Sequence, residues 1–248
     1  MATIHWIGGN LPQVGKSWAT RALTESLCLK DNRAAPLVVD TSPNSILTRV
    51  YNPDLLKSTT PDRYFHGDGL FADEIFDLVE HHTLVVKLVS HSQASFLEWL
   101  RISGILNEDI RHHFWFISNG HRAGIQYFQE ICEYAPWQIV WVRNHHAPVW
   151  DKVAEIETDI FQTCDLSGII SNPAEIQFIE DTGSILSELA DPQNDLLPIL
   201  TRIRIQRFLK HSCQNFTTDE VETKIAPHKL LPPPIAIEED EEEEDIRN

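Results

Sequence analysis

Short apolar runs alternate along this chain with segments in which apolar residues recur every three or four positions. The short runs predict buried strands at residues 4–7, 37–39, 84–86, 114–117, 139–142 and 169–170. The segments between them predict helices at residues 18–29, 71–80, 96–100 and 125–134. Since this alternation is typical of βαβ units, we expect an α/β protein with a mostly parallel β-sheet flanked by helices on both faces.

The C-terminal part of the chain divides into one more helix and a tail of different composition. Residues 196–211 predict a helix packed on the sheet. Its expected apolar side consists of Leu197, Leu200, Ile203, Ile205 and Phe208. From about residue 216 the pattern fails, and residues 232–234 are prolines that precede eight consecutive acids at 238–245. Because rigid prolines and like charges do not form a packed core, we predict a folded domain at 1–215 and a disordered acidic tail at 216–248.

The charge of the chain limits its partners. The 248 residues carry a net charge of −17. The eight acids at 238–245 together with Arg247 account for −7 of it, which leaves −10 for the rest. An acidic body does not favour DNA binding through phosphates, which requires clustered Lys and Arg. One basic stretch exists, at Arg202, Arg204, Arg207 and Lys210, although such a stretch is more often a solvated helix face.

Cysteine usage and the N-terminus predict a cytoplasmic protein without a membrane partner. The N-terminus lacks the basic and apolar regions of a signal peptide, and no apolar run approaches the roughly 18 residues of a membrane span. The four cysteines are far apart and form no CxxC pair, which favours reduced thiols over a disulfide framework or a zinc site. The adjacent pair His112 and His113 should point to opposite faces of a strand, which argues against a shared metal ion.

The strongest chemical signal is the sequence GGNLPQVGKS at residues 8–17, between a predicted strand and a predicted helix. A loop in that position directs backbone N–H groups and a helix N-terminus towards phosphate oxygens. Lys16 would reach the β and γ phosphates, Ser17 would ligate Mg²⁺, and Gly15 would let the backbone approach the anion. The strict pattern GxxxxGK[ST] has glycine where this chain has Asn10. The alternative interpretation is a turn in which Lys16 and Ser17 only cap a helix.

Two further segments occur in order after this loop, VDT with LTRVY at residues 39–51 and WVRN at residues 141–144. Together the three segments resemble the ParA/MinD group of P-loop ATPases with a deviant Walker A motif, and within it the MobD-like plasmid mobilisation and partition proteins. The resemblance covers most of residues 3–210. It implies an ATP-dependent switch that dimerises around two nucleotides, binds a partner or DNA as a dimer, and resets on hydrolysis.

The resemblance also implies a site for ATP or ADP with Mg²⁺. Its expected nucleotide-binding residues are Gly9, Asn10, Val14, Gly15, Lys16, Ser17, Trp18, Asn144 and Pro173. By matching position, Asp40 would be the catalytic carboxylate near the attacking water, and Ser17 and Asp40 would hold Mg²⁺. Asn144 would recognise adenine through its amide, and the loop that contains Pro173 would flank the same base.

This chain departs from the family pattern at three positions where the family has charged residues that act on the nucleotide or its metal ion. Leu11 stands where the family has its signature lysine, Ser42 replaces the second acid of the first switch, and Lys87 replaces the Walker B aspartate. Lys87 would either repel the metal, or supply part of its charge, or simply reach solvent from a strand end. Because phosphoryl transfer depends on positioning and charge neutralisation, we expect very slow or absent hydrolysis on a retained fold.

These observations predict a ParA/MinD-like protein of a DNA partition or intracellular positioning system. It would self-associate as a dimer or larger assembly and bind a protein partner or cargo adaptor. The alternative is a non-hydrolysing structural or adaptor protein that assembles into oligomers or filaments on the same fold. A small-molecule kinase ranks last, because we see no Arg-rich lid. The acidic tail would be either a solubilising end, a tether for a basic partner, or a mimic of DNA phosphates.

Overall fold

Strands and helices alternate along the chain. The computed structural model describes residues 2–9, 11–30, 35–43, 46–52, 74–90, 92–105, 109–118, 122–134, 138–144, 162–166, 168 and 173–216. The strands are β1 (Ala2–Gly8), β2 (Leu37–Asp40), β3 (Leu84–Lys87), β4 (Ile110–Ser118), β5 (Gln138–Asn144) and β6 (Gln162–Leu166). The helices are α1 (Lys16–Lys30), α2 (Ile46–Tyr51), α3 (Glu74–Val79), α4 (Gln93–Ser103), α5 (Arg122–Tyr134), α6 (Pro173–Thr182), α7 (Leu186–Leu189) and α8 (Ile199–Asn215).

The six described strands form one sheet in the order β2-β3-β1-β4-β5-β6, and every pair is parallel. This confirms the predicted α/β class and parallel sheet. The chain adds β2 and β3 on one side of β1 and then crosses over to add β4, β5 and β6 on the other side. Such a reversal leaves a crevice outside the carboxyl ends of the strands, and this is where open parallel sheets bind ligands.

Helices cover both faces of the sheet, because the strands are apolar on both sides. On one face, Trp6, Phe114 and Trp141 join a buried cluster with residues of α3, α4 and α5. On the other face, Ile7 and Trp115 join a cluster with residues of α1, α2, α6, α7 and α8. Adjacent strand residues alternate between the two clusters, as the pleat requires. Each fully buried side chain of this size contributes about 1.5–3 kcal/mol of transfer free energy.

A buried carboxylate fastens α1 to the start of α7. Glu25 is only 3% exposed. Its Oε1 accepts hydrogen bonds from the Leu186 N–H at 2.7 Å and the Tyr51 hydroxyl at 2.9 Å, and its Oε2 accepts one from the Ser187 N–H at 2.9 Å. The two amides belong to the first turn of α7, where a helix has no internal acceptors for them. Glu25 therefore caps α7 from a distance of 161 residues along the chain.

Buried histidines lie between β1 and β4 in the middle of the sheet. His5 and His113 are cross-strand neighbours with stacked rings 4.9 Å apart, and Trp115 Nε1 donates to His5 Nδ1 at 3.2 Å. On the opposite face, Trp6 Nε1 donates to His112 Nδ1 at 3.1 Å. Burial lowers the pKa of His112 and His113 to about 4 and holds the pKa of His5 well below its usual value. All three rings are therefore neutral in the folded protein at pH 7.

The end of the sheet differs from the sequence prediction. The strand predicted at residues 169–170 lies outside the described residues. The last described strand is β6, with the polar sequence QTCDL, which our pattern missed because only its alternate residues Cys164 and Leu166 are buried. Helices α2, α6 and α7 were also not predicted. The helix predicted at residues 71–80 is confirmed over α3, and residues 71–73 lie outside the described part.

Helix α8 packs on the core with a different set of residues from the one predicted. Ile205 and Phe208 are buried as expected, whereas Leu200 and Ile203 are 65% and 37% exposed, so the prediction for these two was wrong. The contacts of α8 with α1, α7 and β6 decide which side is covered. Phe216, which we assigned to the tail, is buried against Trp115 with the rings 5.1 Å apart. The rest of the tail, residues 217–248, lies outside the described residues. No helix in the described part has both the length and the apolar character that a membrane crossing needs.

Candidate functional site

The candidate site lies at the carboxyl end of β1, where the winding of the sheet reverses. Residues 9–15 connect β1 to α1 and require two glycines. Gly9 has φ +146°, and a Cβ on it would lie 2.5 Å from the carbonyl oxygen of Ile117. Gly15 has φ +100°, and a Cβ on it would lie 2.7 Å from Nδ2 of Asn144. An L side chain at either position would be both strained and crowded. The loop therefore leads directly from the central strand into a helix N-terminus.

Lys16, the first residue of α1, turns its ammonium back into this loop. Nζ donates to the carbonyl oxygens of Gly9 and Leu11 and to Oγ of Ser90, each at 2.8 Å. The residue is 6% exposed. Burial, followed by repulsion from the Lys87 ammonium, lowers the pKa of Lys16 to about 7. Since the side chain binds within the loop, the interpretation of Lys16 as only a helix cap does not describe it.

Ser90 is a further member of the candidate site, and no sequence motif indicates it. Its hydroxyl accepts the hydrogen bond from Lys16 and lies 3.3 Å from the carbonyl oxygen of Leu11, to which it donates. Ser90 follows β3 by three residues, and β3 is the neighbour of β1 in the sheet. The sequence does place Ser90 just after the end of a strand. This position could have indicated that Ser90 lies near the loop, because parallel strands end at the same edge of the sheet.

A buried ion pair lies beside the loop, at the ends of β2 and β3. Asp40 and Lys87 are register partners, and Lys87 Nζ lies 2.9 Å from Asp40 Oδ1. The Ser42 hydroxyl donates to the same carboxylate and accepts from Lys87 at 3.0 Å. The side chains of Lys87 and Asp40 are 12% and 2% exposed. Of the interpretations given for Lys87, the solvent-reaching one is wrong, because its ammonium is turned towards the carboxylate.

Asn144, the last residue of β5, supports the loop from the other side. Its Nδ2 donates to the carbonyl oxygen of Val14 at 2.9 Å, across 130 residues of sequence. The same amide lies against Gly15, where it leaves room for glycine alone. Asn144 is therefore a structural partner of the loop between β1 and α1. Its role in recognising adenine stays a prediction.

The other expected residues lie in different surroundings. The ring of Trp18 packs edge-on against Phe208 of α8, with the ring centres 6.0 Å apart. Ser17 is the half-buried second residue of α1, and Pro173 is the exposed first residue of α6. Asn10 lies outside the described residues. The structure thus brings part of the expected set into one cluster of direct contacts. Its members are Gly9, Val14, Gly15, Lys16 and Asn144. Asp40 lies outside this cluster, at the end of β2, where it is paired with Lys87.

The chemistry of this cluster fits phosphate oxygens better than a metal ion. The helix N-terminus and the Lys16 ammonium both favour negative charge at the crevice. Asp40 is different, because its carboxylate already accepts from Lys87, from Ser42 and, at 3.3 Å, from the Leu47 N–H. Both of its oxygens therefore already accept hydrogen bonds, which makes Asp40 a poor ligand for Mg²⁺ in the described part of the chain. Among the residues that the structure describes, no group of three or more His, Cys, Asp or Glu side chains is placed to bind a metal.

Neither a protein-family model nor a curated protein sequence matches this chain. The resemblance to ParA/MinD proteins accordingly rests on the three sequence segments that carry it.

Proposed function

We propose that this chain is a ParA/MinD-like protein of a DNA partition or intracellular positioning system, which binds ATP or ADP and hydrolyses ATP very slowly or not at all. The observation that carries the proposal is the ion pair of Lys87 Nζ with Asp40 Oδ1, 2.9 Å apart, beside a loop that holds the Lys16 ammonium. The loop supplies a place for the phosphates. Because the Asp40 carboxylate is held in the ion pair, it is not available to take part in hydrolysis.

Binding is favoured by the state of Lys16. Its ammonium is held by two carbonyl oxygens and one hydroxyl, which are neutral acceptors. Phosphate oxygens would replace these neutral acceptors with charged ones, which attract the ammonium more strongly. The Lys87 ammonium is close enough to lower the pKa of Lys16, so an anion between the two lysines would relieve their repulsion. Lys87 would thereby supply positive charge without a metal ion.

Hydrolysis is disfavoured by the same contacts. A phosphoryl transfer site needs a positioned water and groups that neutralise charge in the transition state. Asp40 is engaged by Lys87 and by the Ser42 hydroxyl, so its carboxylate is not available to orient water. Leu11 has no charge to present to a neighbouring subunit. The expected result is a nucleotide-stabilised structural switch without efficient turnover.

The partition or positioning context rests on the order of the segments that resemble the family. The net charge of −17 favours a protein partner over DNA. Self-association would then be the event that nucleotide controls.

The test is a titration of the full chain with a fluorescent ATP analogue, in buffer with Mg²⁺ and in buffer with EDTA, together with a phosphate-release assay. We expect the two affinities to agree within about twofold and phosphate release to stay at the protein-free rate. Lys16→Met should weaken binding about 10-fold or more, as expected for one lost charge-assisted hydrogen bond.

Two variants complete this test. Lys210→Met removes an exposed cation from α8 and should leave binding unchanged. The double variant Asp40→Asn with Lys87→Met removes both charges of the ion pair and leaves the local net charge unchanged. It should weaken binding in EDTA, because the direct contact of the Lys87 ammonium with the phosphates is lost. Robust Mg²⁺-dependent phosphate release by the unaltered protein would refute the proposal.

A second candidate function is the scaffold without nucleotide. Lys16 has three acceptors in its own surroundings and Asp40 has an ionic partner, so the loop is internally satisfied. In that case no nucleotide would bind, and sedimentation of the protein would not change on addition of ATP with or without Mg²⁺. Binding that alters the sedimentation coefficient would favour the switch instead.

A further inference from the structure

Four large apolar side chains are exposed together at the start of α8. Leu196, Ile199 and Leu200 are 60%, 66% and 65% exposed, and Ile203 is 37% exposed. They account for more than half of the large apolar side chains that are exposed in the described part of the chain. Isolated exposed apolar residues are ordinary, but a contiguous set indicates a surface that another segment covers.

The same helix face becomes basic one turn later. Arg204, Arg207 and Lys210 follow Ile203 at intervals that keep them near the exposed side of α8. Arg207 and Lys210 are exposed, and Arg204 is partly exposed. Arg202, the fourth basic residue of this stretch, is turned away to donate to the carbonyl oxygens of Asp191 and Pro192. We call the seven residues Leu196, Ile199, Leu200, Ile203, Arg204, Arg207 and Lys210 the α8 face.

The opposite side of α8 is fixed by the core. Ile205, Phe208 and Leu209 are buried, and α8 packs there against α1, α7 and β6. The α8 face therefore points away from the sheet. Its polarity is ordered along the helix, with apolar side chains first and positive charges second.

The tail of this chain has the matching order of chemistry. Residues 230–237 read LLPPPIAI, and residues 238–245 are all acidic. An apolar segment followed by negative charge complements an apolar surface followed by positive charge when the two run in the same direction. The chain length permits this. Residues 217–229 can span about 40 Å when extended, whereas α8 is only about 25 Å long.

We propose that residues 230–245 dock on the α8 face of the same molecule, with the apolar part over Ile199 to Ile203 and the acids beside Arg207 and Lys210. The contact hides the exposed apolar side chains and neutralises part of the acidic tail. While the tail is docked, it covers the α8 face. Other apolar, acidic segments can bind there only when the tail has dissociated.

The test is zero-length cross-linking of the full chain with a carbodiimide, which joins a lysine to a carboxylate that is in contact with it. We expect Lys210 to be joined to residues 238–245 in the monomer, as identified by mass spectrometry. The double variant Leu200→Asp with Ile203→Asp should lower the yield of this product about fivefold or more, because the apolar contact is lost. Ile102→Asp alters an exposed apolar residue on α4, away from the α8 face, and should leave the yield unchanged.

The reaction is run on a mixture of isotopically heavy and light protein. Products that join light to light and heavy to heavy support docking within one molecule. Heavy–light products would assign the tail to a second copy and overturn the proposal. It would be overturned equally by the absence of any Lys210 product, or by a yield that the double variant does not lower.

Discussion

Gly9 shows how closely the loop between β1 and α1 is fitted to the sheet. Its φ of +146° is a conformation that L side chains rarely adopt, and a Cβ would meet the backbone oxygen of Ile117 at 2.5 Å. Gly9→Ala should therefore destabilise the protein by about 2 kcal/mol or more, since the obstacle is backbone that cannot move aside. Gly104→Ala is the matched control, because Gly104 also has positive φ but has open space around it. That control should cost about 1 kcal/mol. Equal losses in urea unfolding would show that the crowding at Gly9 has no effect.

At the scale of elements, Glu25 connects the first helix to a helix formed much later in the chain. Glu25→Gln replaces one carboxylate oxygen with an NH₂ group that faces donors, so one buried donor must lose its acceptor. The expected loss of stability is about 1–3 kcal/mol. Native-state hydrogen exchange at the Leu186 and Ser187 amides should accelerate more than exchange in the sheet. Glu98→Gln on the exposed side of α4 should leave both quantities nearly unchanged. Uniform acceleration over the whole molecule would contradict a local capping role.

The buried histidines give the whole molecule a dependence on pH. His112 and His113 have pKa values lowered to about 4. Between pH 6.5 and pH 4, these histidines therefore bind protons in the unfolded chain but not in the folded chain. Stability is therefore full above about pH 6.5 and falls as the pH drops towards 4, by a few kcal/mol in total. Burial also holds the pKa of His5 well below its usual value, so His5 contributes to the same slope. His5→Asn keeps an acceptor for Trp115 Nε1 and should reduce this slope, whereas the exposed His81→Asn should not. The free energy of unfolding in urea at pH 7 and pH 5 measures both. Equal slopes in wild type and His5→Asn would exclude His5 from the effect.

The fold was more predictable from sequence than the site, for a physical reason. Apolar runs record burial on both faces of a strand, so five of the six described strands could be located. β6 was missed because its half-buried sequence is polar. Contacts such as those of Ser90 with Lys16 and of Glu25 with Leu186 join residues 74 and 161 positions apart, and no local pattern records them. The exposure of Leu200 could not be predicted either, since periodicity shows that a helix has an apolar side but not whether a neighbour covers it.

The central position of β1 has a consequence for the order in which the protein can form. Of the six described strands, β1 comes earliest along the chain, yet its two neighbours in the sheet begin at Leu84 and Ile110. The sheet hydrogen bonds of β1 and the packing of the rings of Trp6 and His5 cannot form until those later strands have been synthesised. Contacts between such distant parts of a chain are slow to close, and the apolar strand is exposed to other chains in the meantime. The strand that leads into the loop before α1 is therefore synthesised before both of its sheet partners, and it can be fixed in the sheet only after they have been made.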